Sequence, residues 1–279
     1  MAVTFANLRF YLSLALATLV TVICPLRVSA SVLFVGNKHS VAEYSTAGKV
    51  VNRSLISGIK LTFGIAVSGN DIFVANEDSG IIGKYALTGR VLNASLISRL
   101  NGPAGIAVAG NRLFVANYRA GTIGEYTTSG RVIRASLISG LDGPEGIAVL
   151  GDDMYVANFG SGTVGKYTLS GRAVNPMLIS SLPGPEGIAV AGHDIFVACD
   201  GAGTIGKYTL SGQVINAAFI SGLRDPFGLA VLGSTLFIAD ERAKGRIEQY
   251  TTAGKVVNAA LVTELDYPGF IAVSRARKP

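Results

Sequence analysis

Few side chains in this sequence are spaced for chemistry. Gly160-Ser-Gly-Thr-Val-Gly165 and Gly201-Ala-Gly-Thr-Ile-Gly206 match the glycine pattern that presents helix amides to a pyrophosphate. That chemistry needs a strand-to-helix turn, and both matches fall between two strand-like runs, so they are coincidences of a repeat. Two histidines, His39 and His193, are too few and too far apart for an imidazole metal site. Cys199 fills a slot that holds Asn in the preceding repeats and reads as a substitution, not a nucleophile. No nucleophile elbow, phosphate loop or Cys-x-x-Cys occurs. Asn52-Arg-Ser and Asn93-Ala-Ser are glycosylation sequons, usable in a eukaryotic source. What remains is a set of carboxylates, carboxamides and aromatics, among them Tyr118, Glu145, Phe159, Glu186 and Phe227, whose relation depends on the elements that carry them.

Those elements follow from an internal repeat. Gly-(Ile/Leu)-Ala-Val begins at Gly64, Gly105, Gly146, Gly187 and Gly228, each 41 residues after the last. A Phe-Val-Ala-Asn-like run starts at Phe34, Phe73, Phe114, Tyr155, Phe196 and Phe237, and a tyrosine recurs from Tyr44 to Tyr250. Each unit reads as four short strands with turn chemistry between them, which specifies a propeller blade. The phase is informative: a second strand (Val32–Val35) comes first, and a first strand (Ile271–Val273) comes last. The expected fold is all-β, a six-bladed propeller of four-stranded antiparallel blades. Its ring is closed by N- and C-terminal strands sharing one blade, so that no sheet edge is left open there. The recurring aromatics are expected between blades, as core.

Composition agrees. With 49% hydrophobic and 15% charged residues, the chain is too apolar to be disordered, and two Cys cannot build a disulfide scaffold. Arg9, an apolar run from Phe10 to Cys24 and Val28-Ser29-Ala30 form a signal-peptide pattern, with cleavage expected after Ala30. Residues 31–279 are then the single propeller domain, with 22 Lys+Arg (the chain's 24 less Arg9 and Arg27) against 18 Asp+Glu. That mild excess suits solubility better than nucleic-acid binding. The expectation is a secreted or periplasmic monomer with no nucleic-acid partner and, once the signal is removed, no membrane partner.

The segment Gly-Pro-Glu-Gly-Ile-Ala-Val…Ile-Phe-Val-Ala…Gly-Thr-Ile-Gly-Lys-Tyr…Ser-Gly (184–212) resembles NHL-type repeats. It departs from them where Gly-Thr-Ile replaces the usual Asn-His-Arg. The resemblance covers nearly all of 31–273 and implies a six-bladed ring, a fold shared by scaffolds, binders, lactonases and lyases. It also implies an alternative function. Gluconolactonase-like propellers hold a divalent cation at the channel mouth, and Glu145, Glu186, Asn117, Asn158 and Asp240 stand at comparable loop positions here. Their oxygens suit Ca²⁺ or Mg²⁺ in a lactonase-type hydrolase. The Asn and Asp positions read equally well as turn caps.

The preferred reading is non-catalytic, with no cofactor: an exported propeller that binds a protein, glycan or small ligand. Antiparallel blades put the fourth-to-first and second-to-third loops on one face, where Phe63, Tyr118, Phe159, Phe227, Tyr267 and Phe270 all fall. Of the aromatics outside the repeated slots, only Phe219 is expected within a strand. The slot before the repeated glycine varies most, running Phe63, Ala104, Glu145, Glu186, Phe227, Gly269. Tyr118, Phe159 and Phe227 are expected to supply contact area, and Glu145 and Glu186 to orient the ligand.

Overall fold

The structure is a computed structural model and describes residues 31–240 and 244–274. The signal-peptide boundary at Ala30 lies outside them. Six four-stranded antiparallel sheets form a ring. The clasp blade joins β24 (Ile271–Ser274) to β1 (Val32–Asn37), β2 (Ser40–Ser45) and β3 (Val50–Ser57). Blades 2 to 6 follow in chain order and begin at β4 (Thr62–Ser68), β8 (Pro103–Ala109), β12 (Pro144–Leu150), β16 (Pro185–Ala191) and β20 (Pro226–Leu232). Their outermost strands are β7 (Val91–Ile97), β11 (Val132–Ile138), β15 (Ala173–Ile179), β19 (Val214–Ser221) and β23 (Val256–Leu265). In the clasp, Val35 pairs with Ile271 and Val32 with Ser274, so the ladder closes the ring as the repeat phase requires.

The core is six interfaces, each between neighbouring blades. Between blades 3 and 4, for example, Phe114 and Ile123 pack with Met154, Val156 and Tyr167. The repeated Phe/Tyr of the second strand is fully buried in every blade, as its recurrence indicated. Burial of each such ring contributes about 2–3 kcal/mol. A cation lies over several of these rings: Lys84 pairs with Asp71 at 2.8 Å above Phe73, and Lys207 with Asp194 at 2.9 Å above Phe196. Blade 3 interchanges the charges. Arg112 takes the aspartate slot and pairs at 2.6 Å with Glu125 in the lysine slot. The pair is kept while its sign reverses, which marks an interaction maintained for structure.

Two local devices aim side chains at the channel mouth. Each inner strand of blades 2 to 6 begins with a β-bulge, such as that between Pro144 and Ile147. One extra residue leaves the ladder there, and a bulge re-aims the side chain it carries. Glycine follows because the next blade is too close for anything larger: a Cβ on Gly105 would strike the carbonyl of Glu145, and one on Gly146 that of Glu186. The residue before each glycine is thereby placed shoulder to shoulder with its counterpart in the next blade. Phe63, Glu145, Glu186 and Phe227 lie within the inner strands, not in loops, so Phe219 is not alone in being an aromatic outside the repeated slots that sits in a strand.

Candidate functional site at the loop face

The mouth on the loop side has two chemically different halves. On one side, Phe227 stands between Phe63 and Phe270, edge-to-face with both at centroid separations of 5.3 and 5.1 Å. Phe227 is only 5% exposed, so it forms a wall and not the open contact surface expected for it. The reason is the ring itself: bulges in blades 2 and 6 and the clasp point all three rings inward. Beside them lies a cavity of about 280 Å³ lined by Lys38, Leu61, Thr62, Phe63, Phe227, Tyr267 and Gly269. The Lys38 ammonium sits 5.2 Å from the centre of the Tyr267 ring. Leu61 and Tyr267 both have left-handed backbones (φ 50° and 49°). Blades 3 to 5 put Gly102, Gly143 and Gly184 at the matching position, so two bulky residues at this cavity hold a conformation that costs about 1–2 kcal/mol each.

The other half is acidic. Glu77, Tyr118, Phe159 and Asp200 form a column, each donating its backbone N–H to the carbonyl of Leu61, Gly102, Gly143 or Gly184 at 2.8–3.2 Å. Their side chains lean onto the next blade: the Tyr118 ring covers Gly143, and Phe159 covers Gly184. Both rings are half-buried, wedged between blades with one side open. Glu77 pairs with Arg119 at 2.8 Å, and burial raises its pKa against the opposing pull of that guanidinium. Burial also pushes the Tyr118 phenol above its ordinary range, assisted by the charges of Glu145, Glu77, Asp142 and Glu186. Glu145 and Glu186 are thus near enough to Tyr118 to act on its phenol, as are Glu77 and Asp142. The Asp200 carboxyl is raised by burial and by Asp225, with which it shares a hydrogen bond. Glu77 and Asp200 were detectable in the sequence, because they share the repeat column of Tyr118 and Phe159.

The amide and carboxylate column at the end of the second strands behaves differently along the ring. Asp240 Oδ1 accepts from the amides of Arg224 and Asp225, both at 3.0 Å, and Oδ2 meets Arg246 at 3.2 Å. It is a loop cap with an ion-pair partner, and a metal there would have to break those bonds. Asn117 and Asn158 donate to Thr122 and Thr163 at 3.2 Å, while each Oδ1 is buried without a hydrogen bond. Cys199 takes the same position in blade 5. The thiol is buried, and that burial, with Glu186 nearby, pushes its pKa up to about 11. Among the described residues, no three His, Cys, Asp or Glu side chains are grouped to hold a metal, and no helix is long and apolar enough to cross a membrane.

No family model and no curated protein matches the chain. Solved structures do. A chain of a nidogen/laminin complex superposes with a TM-score of 0.75 at 16% identity, over 88% of this chain and 98% of that one. A protein of unknown function from Bacteroides caccae gives 0.68 at 20% identity, over 90% and 100%. A streptogramin B lyase gives 0.59 at 16% identity, over 82% and 73%. At these identities the likeness is one of fold, shared by binding proteins and enzymes alike: the chain is a six-bladed β-propeller.

Proposed function

We propose that this protein is an exported recognition module, without catalysis, whose loop face binds a cationic group on a protein, glycan or small ligand. The observation that carries this reading is the acidic surround of Tyr118, where Glu77, Glu145, Glu186 and Asp142 raise a phenol of blade 3 and the Glu77 charge is shared with Arg119. Glu145 and Glu186 would orient the cation, Tyr118 and Phe159 would cover it, and Phe227 with its cavity would take an attached apolar part. Aromatic and charged groups clustered in a concave site are the usual anchors of recognition. The likeness to a propeller solved within a nidogen/laminin complex supports protein binding as one form of this function.

The test is binding across peptide and glycan panels at low and high salt. The best ligands should be cationic, should weaken about tenfold or more with Glu186→Gln or Phe159→Ala, and should be indifferent to Asp194→Asn on the opposite face. Loss with Asp194→Asn and none with the other two would put the site on the wrong face. A second reading, a Ca²⁺- or Mg²⁺-dependent lactonase-type hydrolase, draws on the buried Asn158 Oδ1 that accepts no hydrogen bond. Elemental analysis of the purified protein separates the two, since the hydrolase requires a stoichiometric divalent ion.

A further inference from the structure

The face opposite the mouth carries a pattern that neither the core nor the loop site uses. Every outer strand opens with an aliphatic pair, such as Val132-Ile133 in blade 3 and Val214-Ile215 in blade 5, the lone exception being Ala173-Val174. These side chains are exposed, from 37% at Val50 to 64% at Val214. The next position is Asn in five of the six blades, where its Oδ1 accepts from the amide two residues on, so the aliphatic pair sits in a regular outer-strand pattern. Edge strands are normally guarded by charge or proline, and paired aliphatics on such an edge invite aggregation unless something covers them.

A cation immediately precedes the pair in five of six blades: Lys49, Arg90, Arg131, Arg172 and Lys255, with Gln213 in the sixth. All five cations are exposed, and among the described residues none has an ion-pair partner. The backbone that carries them is anchored. The N–H groups of Lys49, Arg131, Arg172 and Lys255 donate to the hydroxyls of Ser45, Thr127, Thr168 and Thr251 at 3.0–3.2 Å. The turn glycine just before each cation abuts the outer strand of the preceding blade, as Gly89 does the carbonyl of Leu55 and Gly130 that of Leu96. The six turns and six outer strands therefore lock into one belt, with equivalent positions at equal height around the ring axis.

We propose that this belt docks the protein on an anionic lipid bilayer, leaving the loop face directed away from it. A second copy would set five cations against five, and a polyanionic glycan would have no use for the aliphatic pairs. A bilayer surface answers both: phosphates for the cations, and the glycerol and upper acyl region for the aliphatics. Contact of this kind is peripheral and needs no spanning segment.

The test uses residues 31–279, which contain the whole closed ring, and vesicles of phosphatidylcholine with or without about a third phosphatidylglycerol. Binding should be at least about tenfold tighter to the anionic vesicles and should fall as salt is raised. Removing four cations together (Lys49, Arg90, Arg131 and Arg172 to Gln) should cost well over tenfold, since each contributes about fivefold near such a surface. Serine at Val132, Ile133, Val214 and Ile215 should weaken binding several-fold while the protein stays folded, because these side chains lie outside the buried clusters between blades and are 39–64% exposed. Equal binding to neutral and anionic vesicles, or no binding to either, overturns the proposal. So does a serine variant that binds vesicles like the parent while both bind heparin equally, which would assign the belt to a soluble polyanion.

Discussion

Cys199 illustrates how a reactive residue type can be chemically silent. Its thiol sits at the end of a second strand, 2% exposed, with its pKa pushed to about 11 by burial and by Glu186. Thiolate is the reactive form, so residues 31–279, in which Cys199 is the sole cysteine, should resist iodoacetamide at pH 8 when native and label only as denaturant unfolds them. Rapid labelling of the native state would contradict the placement. The same shift sets a pH effect on stability. The unfolded thiol loses its proton first, so stability should decline as pH rises from about 9 towards 11, and the thiol should have no effect below that window. The sequence alone indicated that Cys199 was a substitution within a repeat. Nothing in the structure explains why Asn is replaced there. Phe227 shows the reverse case. Its type and column were legible, but its burial between Phe63 and Phe270 depends on rings from two other blades, and no local pattern reports that.

At the scale of the element, the inner strand with its opening bulge makes the site possible. Periodicity revealed the strand, whereas the bulge was hidden, because one unpaired residue before a glycine looks like a loop in sequence. Seen in the ladder, the Pro-x-Gly triplet has separate tasks: proline opens the pairing, the middle residue faces the mouth and glycine admits the neighbouring blade. Gly105→Ala should therefore destabilise the protein by about 2–3 kcal/mol, because its Cβ would meet the rigid carbonyl of Glu145 and not a side chain that can turn aside. Gly110→Ala is the control. It has open space around it and costs only the strain of φ 60°, about 1 kcal/mol. Chemical denaturation that ranks the two in the opposite order would contradict this account of the bulge.

For the molecule as a whole, ring closure turns six similar units into two unlike faces. The repeat period and its offset at the termini made the six blades and their clasp legible, since both are properties of spacing. The distribution of charge between the faces was not, because it depends on which blades become neighbours across the channel. Tyr118 samples that arrangement without any ligand, as the charges raising its pKa come from Glu77, Glu145 and Glu186 of three other blades and from Asp142. Its titration, followed by NMR of labelled tyrosine in the parent and in Glu145→Gln and Glu186→Gln, tests the composite site most directly. The account predicts a phenol that titrates above the ordinary tyrosine value of 10.0 and moves down in both variants. A Tyr118 that titrates at the ordinary value, or that ignores both substitutions, would mean that the blades do not bring their carboxylates together at this mouth.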